Sequence, residues 1–457
     1  MQSTLVIGLG KTGWSCVKFL KQQGIAVCVI DTRTSPPYLQ QLQKAYPDVE
    51  YYCGAWPEQL FMREFVDIVI SPGLAGHDPM LQRFLVKNNH FIGDIELFAH
   101  YVRAPVVAIT GSNGKSSVTT LLGQVAKQVG VQVAVGGNLG TPILELLHQD
   151  VELYILELSS FQLETTYSLK PKVAALLNTS PDHMDRYASF EEYQDAKARI
   201  FLNSDYQVYH HEEHWLKDKY INIIKNNSVL FGVNSNSNLD IEKQVQDNQW
   251  RLIKGQNQGE FWLGQGDQKI VNTRLMTLFG QHHFENALAV LAISDLLKFP
   301  MHVVTDQIRS FTGLPHRCEL VDVLNNVYWF NDSKATNIGA AIASIQSVGE
   351  QTKNKVVLLA GGQGKSADFT SLEQSVKRFT RVVIVFGEDA EQLQQCLSPW
   401  VCVMRTHSLA TAVAMAATVA QSGDSVLLAP ACASFDMFEN FEARGEAFIH
   451  EVRRQRS

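Results

Sequence analysis

The sequence predicts an α/β protein of three domains, each built on its own mostly parallel sheet. Short apolar strands alternate with helical segments along most of the 457 residues, which is the pattern of βαβ units. This alternation starts afresh three times, and a chain of this length exceeds what one hydrophobic core usually organises. We expect the domains to span residues 1–93, 94–312 and 313–457.

The composition is that of an ordinary globular protein. Hydrophobic residues make up 45% and charged residues 19% of the chain, and the formal net charge is -7. Because the chain carries no basic stripe, nucleic acid is excluded as the main partner. The seven cysteines are scattered without a C-x-x-C pair, which argues against a disulfide framework or structural zinc and favours a reducing cytoplasm.

The sequence also predicts no export signal and no membrane insertion. The opening stretch "MQSTLVIGLG" has no basic residues before its apolar part. The longest apolar run of small residues, 409–420, is too short to cross a bilayer.

The first segment, residues 4–33, reads as a strand, a Gly-rich turn, a helix and a second strand that ends at Asp31. Gly8, Gly10 and Gly13 complete the pattern G-x-G-x-x-G, which is typical of dinucleotide binding when an acid follows the next strand. Only about 90 residues precede the next segment, however, and a two-lobed dinucleotide fold needs about twice as many βαβ units. The pattern therefore favours a Rossmann-like domain that holds one nucleoside diphosphate, with a dehydrogenase as the alternative.

The second segment opens with "ITGSNGKSSVTTLL", residues 109–122, directly after an apolar strand. Backbone N–H groups and a helix N-terminus converge on an anion in such a turn, Lys115 adds a positive charge, and Ser116 offers a hydroxyl to magnesium. Ile109 replaces the first glycine of the usual phosphate loop, so only the inner half of that motif is present. The pattern predicts a P-loop ATPase-like domain; a structural turn with a surface lysine is the alternative. The predicted nucleotide-binding residues of this loop are Gly111, Ser112, Asn113, Gly114, Lys115, Ser116 and Ser117.

The remaining patterns extend the two later domains. Residues 203–275 are rich in Asn and Gln and predict surface hairpins or loops, and a periodic helix then runs up to Pro300. The third segment repeats the strand and helix alternation and predicts a C-terminal Rossmann-like domain. Its predicted strands are "NVYWFNDS", "KVVLLAGG", "RVVIVFG" and "SVLLAPA".

The loop of the second segment, written T-G-[ST]-N-G-K-[ST], resembles that of the ATP-dependent Mur ligases and the related folylpolyglutamate synthases. Further strings extend the resemblance to nearly the whole chain, most weakly at 203–275: "LELSSFQLE", "DHMDRY", "AKARIF", "GLPHRCE", "NDSKATN", "GGQGKSADF" and "ACASFDMFENFEARG". The resemblance implies an ATP- and Mg²⁺-dependent ligase of peptidoglycan synthesis that joins D-glutamate to UDP-N-acetylmuramoyl-L-alanine through an acyl phosphate. We expect a monomer.

Four residues are the candidates for catalysis or metal binding: Lys115, Glu157, His183 and Lys197. Glu157 ends an apolar strand, where an α/β sheet places its ligands, and with Ser116 it can offer hard oxygen atoms to magnesium. The resemblance implies that His183 binds a second metal ion and that Lys197 is carbamoylated by carbon dioxide to support it. Spacing alone would make Lys197 a solvated helix residue, His183 a hydrogen-bonded loop residue and Glu157 a helix cap.

The resemblance also implies which residues bind nucleotide and substrates. Those expected to contact ATP between the second and third domains are Asn286, Arg317 and Asp332; His283 stands where the family often has Asn, and we assign it no role. Those expected to contact the UDP substrate are Asp31, Thr32, Arg33, Ser71, Gly73 and Asn138. Those expected to contact the acceptor amino acid are Lys334, Thr336, Lys365, Ser434 and Phe441.

Two other classes of function stay open at this point. A related ligase could add a different amino acid to a muramyl peptide, or glutamate to folate, since side-chain selectivity cannot be deduced from spacing. Alternatively, the chain could be a nucleotide-binding module without ligase activity, in which the outer domains serve recognition.

Overall fold

The computed structural model contains three sheets that follow one another along the chain, each flanked by helices. The structure describes residues 3–74, 78–86, 91–225, 227–233, 249–257, 259–278, 280–352, 354–364 and 367–456. The three-domain α/β architecture with mostly parallel sheets is therefore confirmed. Within the described residues, no helix is long and apolar enough to cross a membrane.

The first sheet has the strand order β3-β2-β1-β4 among the described residues, and its pairs are parallel. Gly8, just after β1, has φ +94°, and a Cβ at Gly13 would lie 1.8 Å from the carbonyl oxygen of Gly8. The two glycines therefore let the first helix start directly over the end of the first strand. The elements are β1 (Thr4–Ile7), α1 (Lys11–Gln22), β2 (Val27–Asp31), α2 (Leu39–Ala45), β3 (Glu50–Cys53), α3 (Glu58–Phe61), β4 (Ile68–Ile70) and α4 (Pro79–Gln82).

The second sheet has the order β13-β12-β11-β10-β9-β8-β5-β7-β6 in the part of the chain that is described. Its pairs from β6 to β11 are parallel, and β11, β12 and β13 form antiparallel hairpins. The elements are α5 (Asp94–Ala99), β5 (Val106–Thr110), α6 (Lys115–Gln128), β6 (Val133–Gly137), β7 (Leu153–Glu157), α7 (Ser160–Glu164), β8 (Val173–Leu176), α8 (Phe190–Ala198), β9 (Tyr206–His210), α9 (Trp215–Lys219), β10 (Val229–Gly232), β11 (Trp250–Lys254), β12 (Phe261–Gln265), β13 (Gln268–Asn272), α10 (Gln281–Leu296) and α11 (Met301–Ser310).

Two expectations for this region need correction. Residues 203–275 are more than surface hairpins or loops, because β9 and β10 are parallel strands that continue the central sheet and bury Val208 and Phe231. These strands are short and polar segments separate them, so the sequence pattern did not indicate that they belong to the sheet. Residues 234–248 lie outside the described part of the chain. The helix before Pro300 ends at Leu296, and Pro300 instead directly precedes the first residue of α11. At this position the missing N–H group of proline costs no helical hydrogen bond.

The third sheet has the order β14-β15-β19-β16-β17-β18 over the described residues. The edge strands β14 and β18 were not predicted, and both are only partly buried. The elements are β14 (Glu319–Leu324), β15 (Val327–Asn331), α12 (Ile338–Thr352), β16 (Val356–Gly361), α13 (Glu373–Phe379), β17 (Thr380–Phe386), α14 (Ala390–Leu397), β18 (Cys402–Arg405), α15 (Leu409–Val419), β19 (Ser425–Leu428) and α16 (Phe441–Arg454).

The two domain interfaces differ in polarity. One hydrophobic core contains Val17 of the first domain together with Ile95 and Leu156 of the second. The two cores of the third domain contain residues from 318 onward, and this domain meets the second through hydrogen bonds such as Arg317 to Ser116. Because a polar interface separates more readily than a shared apolar core, we expect the third domain to be the one that moves.

Candidate active site

The predicted phosphate loop lies between β5 and α6. Gly114 adopts a left-handed conformation (φ +83°) immediately before α6, and a Cβ there would lie 2.3 Å from Oδ1 of Asn286. No side chain caps the N-terminus of the 14-residue helix α6. Its first N–H groups are therefore available to an anion. Inside the loop, Nζ of Lys115 donates to the carbonyl oxygens of Gly111 and Ser112 at 2.7 and 2.9 Å.

A cavity of about 460 Å³ opens beside this loop, between the second and third domains. It brings together most of the residues predicted from sequence for phosphate, metal and acceptor binding. The predicted residues that line it are Ser112, Asn113, Gly114, Lys115, Ser116, Asn138, Glu157, His183, Lys197, Arg317, Lys334, Thr336, Ser434 and Phe441. The parallel strands explain this convergence, since their carboxyl ends meet at one edge of each sheet.

Glu157 ends β7 and is 3% exposed. Its Oε1 accepts a hydrogen bond from Nδ2 of Asn138 at 2.8 Å, whereas Oε2 is buried and has no hydrogen-bond partner among the described residues. Burial raises the pKa of this carboxyl, but Lys115 and the bond from Asn138 outweigh burial, so the net pKa is lowered. An ionised carboxylate with one free oxygen beside the Ser116 hydroxyl fits a magnesium ion bound by oxygen ligands.

Two cations approach the phosphate loop from different domains. Lys115 comes from α6, and Arg317 reaches across from the third domain to donate from Nη2 to Oγ of Ser116 at 2.9 Å. Burial lowers the pKa of Lys115, with Glu157 and Asp182 opposing this effect. This pair of cations could neutralise charge on a transferring phosphoryl group.

Lys197 is buried at the floor of the cavity, with 1% of its surface exposed. Its Nζ donates to the carbonyl oxygen of Gly111 at 2.9 Å and lies 4.6 Å from the ring of Tyr193. Burial holds the pKa of Lys197 well below its usual value. The positive charge of Lys115, whose Nζ donates to the same carbonyl oxygen, lowers this pKa further. The solvated position that spacing alone suggests is therefore wrong, and burial favours the neutral form of the amine.

His183 lines the same cavity in a left-handed conformation, with φ +58°. Its Nε2 lies 3.8 Å from Oδ2 of Asp182, and its ring packs edge-on against Phe161 at 4.8 Å. The described residues contain no group of three or more His, Cys, Asp and Glu side chains able to hold a metal ion. Ser116 and Glu157 thus fit one magnesium ion, while a second would need an oxygen ligand that an unmodified Lys197 lacks.

A smaller pocket of about 90 Å³ lies on the other side of the loop. The predicted nucleotide-binding residues that line it are Asn113, Gly114, Ser117, Asn286, Arg317 and Asp332. His282 and His283, which sequence reasoning left without a role, also line it, with ring centroids 3.9 Å apart. Burial lowers the pKa of His282 to about 4 and raises the pKa of Asp332 to about 6.

The residues predicted to hold the UDP group lie in the first domain, around a pocket of about 310 Å³. Its predicted lining residues are Asp31, Thr32, Arg33, Ser71 and Gly73. Asp31 accepts from the backbone N–H of Leu9 at 2.7 Å and accepts three hydrogen bonds from Arg33, one from its backbone N–H and two from its guanidinium. Asn138, predicted to contact the same substrate near the second domain, lines the central cavity.

Sequence reasoning missed Lys11 and Trp56 in this pocket. Nζ of Lys11 donates to the carbonyl oxygen of Gly140 in the second domain at 2.9 Å, and Nε1 of Trp56 donates to the carbonyl oxygen of Asp31. Lys11 lies inside the glycine pattern, directly after Gly10, so its position was a usable signal. Trp56 carried none, because only the fold brings it beside Asp31.

The predicted acceptor residues cluster in the third domain. Nζ of Lys334 lies 3.7 Å from the centre of the Phe441 ring, and burial, reinforced by Arg317, lowers the pKa of Lys334 to about 8. Thr336 and Ser434 line the same cavity, whereas Lys365 lies outside the described residues. Asn337, also missed, donates from Nδ2 to Asn113 and Asp182 at 3.2 Å.

A phosphate loop at the end of a parallel sheet, beside a cavity that the second and third domains line together, indicates a nucleotide-binding protein whose site is completed across domains. Comparison with protein families names the class. Residues 2–93 match the MurD-like N-terminal domain of Mur ligases, residues 109–294 the Mur ligase middle domain, and residues 316–432 the Mur ligase glutamate ligase domain. The chain belongs to the Mur ligase family.

Curated relatives cover almost the whole chain. A UDP-N-acetylmuramoylalanine--D-glutamate ligase of Pseudomonas putida is 45% identical over 98% of this chain and 96% of its own length. Enzymes with the same name from Nitrosococcus oceani and Legionella pneumophila are 43% and 41% identical, over 99% and 98% of this chain and 96% and 98% of their own lengths.

Solved structures share the fold at lower identity. MurF ligase of Thermotoga maritima, in complex with ADP, aligns with a TM-score of 0.62 and 17% identity over 99% of this chain and 96% of its own. A pseudomurein peptide ligase type C of Methanothermus fervidus aligns with a TM-score of 0.60 and 17% identity over the full length of both chains.

Proposed function

We propose that the protein joins D-glutamate to UDP-N-acetylmuramoyl-L-alanine at the expense of ATP, acting as a monomer with domains 1–93, 94–312 and 313–457. The observation that carries the proposal is the cavity in which the phosphate loop and Glu157 face Lys334 and Ser434 of the third domain. The names of relatives at 41–45% identity support this choice of substrates.

The first step transfers the γ-phosphoryl group of ATP to the carboxylate of the muramoyl-L-alanine substrate, and ADP leaves. Lys115 and Arg317 flank the phosphate loop and neutralise charge that spreads over the transferring oxygens. Ser116 and Glu157 would hold Mg²⁺, which supplies further charge neutralisation when bound. Asn286 and Asp332 orient the nucleotide from the smaller pocket.

In the second step, the amine of D-glutamate attacks the acyl phosphate. The C–N bond forms as the C–O bond to phosphate breaks, inorganic phosphate leaves, and the amine loses a proton. Lys334, Thr336, Ser434 and Phe441, together with Lys365, are proposed to hold the two carboxylates and the side chain of the acceptor.

We further propose that Lys197 is carbamoylated in the working enzyme. The nitrogen of a neutral amine forms a bond to the carbon of carbon dioxide and gives up one proton to solvent, and the resulting carbamate offers anionic oxygen ligands in place of the amine. The depressed pKa of the buried Lys197 favours the neutral amine that this reaction requires. With His183, the carbamate would supply the ligand that a second Mg²⁺ needs.

The first domain is proposed to bind the uridine diphosphate part of the substrate. Asp31, Thr32 and Arg33 end β2 where a ribose or base edge would lie, and Ser71 and Gly73 close the opposite side. The N-terminus of α1 is open to a diphosphate because no side chain caps it.

The test is a coupled ADP-release assay with UDP-N-acetylmuramoyl-L-alanine and a panel of D- and L-amino acids. We expect ADP release that requires both the UDP substrate and D-glutamate, and Lys115→Ala should abolish it. ADP release with another amino acid alone would point to a different ligase of the family. ADP release that needs no acceptor would point to a nucleotide-binding module without ligase activity.

A further inference from the structure

Arg444 lies in the first turn of α16 and is only 1% exposed. Its position is unfavourable in two ways. The N-terminal end of a helix carries positive partial charge, and burial removes the guanidinium from water. An arginine at this place therefore needs compensation from its contacts, and those contacts indicate what it does.

All five N–H groups of Arg444 are used, and they reach three separate strand ends. Nε donates to Oγ of Ser333 at 3.0 Å, and Nη2 donates to the carbonyl oxygens of Ser333 and Cys432 at 2.9 and 3.1 Å. Nη1 lies 3.4 and 3.3 Å from the carbonyl oxygens of Gly361 and Ala433. One side chain thus ties together the segments that follow β15 and β19 and the last residue of β16.

These segments carry the proposed acceptor residues. Lys334 directly follows Ser333, and Ser434 directly follows Ala433. The Ser333 hydroxyl, which accepts from Arg444, also donates to the carbonyl oxygen of Phe441 at 2.8 Å. A shift of the guanidinium would therefore displace the ammonium, the hydroxyl and the ring of the acceptor site together.

Among the described residues, no acid is hydrogen-bonded to Arg444, although the carboxylates of Asp436 and Asp332 act on its charge through space. Its hydrogen-bond acceptors are four carbonyl groups and a hydroxyl, and no carboxylate bonds to it within the described residues. Burial lowers its pKa to about 10, so the group is charged at neutral pH. A buried positive charge behind a site increases the affinity of that site for anions.

We propose that Arg444 is a positioning residue for a dicarboxylate acceptor: it holds Lys334 and Ser434 in register and places a positive charge behind them. The inference rests on the proposed function, because it assumes an acceptor amino acid with two carboxylates. The UDP-substrate pocket lies in the first domain, away from both loops. Of the residues proposed above to orient the nucleotide, Asp332 adjoins Ser333 and Asn286 lies in the second domain, so the KM for D-glutamate should rise far more than the other two KM values.

The experiment compares Arg444→Gln and Arg444→Lys with Arg453→Gln, an exposed control on the same helix. Arg444→Gln should raise the KM for D-glutamate at least about 20-fold and leave the KM values for ATP and the UDP substrate within about twofold of the parent. Arg444→Lys keeps the charge but forms fewer hydrogen bonds. Its KM for D-glutamate should therefore lie between that of the parent and that of Arg444→Gln. Arg453→Gln should match the parent.

A partial reaction separates positioning from general structural damage. With hydroxylamine in place of an amino acid, the acyl phosphate should be trapped as a hydroxamate at the parental rate in Arg444→Gln. An unchanged KM for D-glutamate, an equal rise of all three KM values, or loss of hydroxamate formation would overturn the proposal. If thermal melting shows that Arg444→Gln is unfolded, Ser333→Ala should raise the same KM more weakly, and no rise there would overturn it too. Absence of D-glutamate-dependent ADP release in the parent would instead disprove the proposed function.

Discussion

Lys197→Met should stabilise the protein while it abolishes activity. The two side chains have similar length, so the substitution mainly removes a buried amine that lies near Lys115 and donates to the carbonyl oxygen of Gly111. In the parent, folding at pH 7 costs free energy because burial disfavours the protonated form that the unfolded chain holds. Removal of this cost outweighs the lost hydrogen bond, with a net gain of about 1–3 kcal/mol. For a domain of this size, that gain corresponds to a rise of about 2–10 °C in the melting temperature.

The effect has a defined dependence on pH. Burial lowers the pKa of Lys197 in the folded protein below its unfolded value. The unfolded state therefore binds more protons between these two pKa values, and the stability of the parent rises with pH across that window. The melting-temperature difference between Lys197→Met and the parent should thus shrink as pH rises from 7 toward 10.

Bicarbonate supplies a second check on the same residue. If the amine binds carbon dioxide only in the folded state, bicarbonate should stabilise the parent and leave Lys197→Met unchanged. The assays are thermal melting and coupled ADP release, with the exposed Lys217→Met as the matched control. A melting temperature of Lys197→Met below that of the parent at pH 7 would refute the argument that burial of this amine costs free energy in the folded protein.

Three further outcomes follow from the site. Asp31→Asn weakens the contacts to Leu9 and Arg33. In initial-rate kinetics it should raise the KM for the UDP substrate about tenfold and leave kcat unchanged, and a fall confined to kcat would contradict this. Because the Lys334 amine has a pKa of about 8 and loses its charge as pH rises, inhibition by glutarate should weaken about tenfold from pH 7 to 9, but stay flat in Lys334→Met. Asn337→Ala removes both hydrogen bonds from Asn337 to the second domain, so small-angle scattering should show a more open average shape. An unchanged scattering profile would count against a role of Asn337 in holding the third domain against the second.

The local sequence determined the phosphate loop and the strand ends of the site. Gly111 and Gly114 are needed where the chain turns sharply from strand to helix, and Glu157 stands at the last position of a buried apolar strand. Such features depend on a few neighbouring residues, so periodicity and turn chemistry are enough to predict them. The edge strands β14 and β18 escaped prediction because their partial burial depends on what packs beside them.

Only the tertiary structure decided what distant residues do together. Lys197 reads as a solvated helix residue until the fold places its amine on the carbonyl oxygen of Gly111, 86 positions away in the chain. Arg444 reads as an ordinary helix residue until its five N–H groups are seen to join three strand ends. Burial and charge act through space, so these roles arise from how the sheets are packed, which no local stretch of sequence encodes.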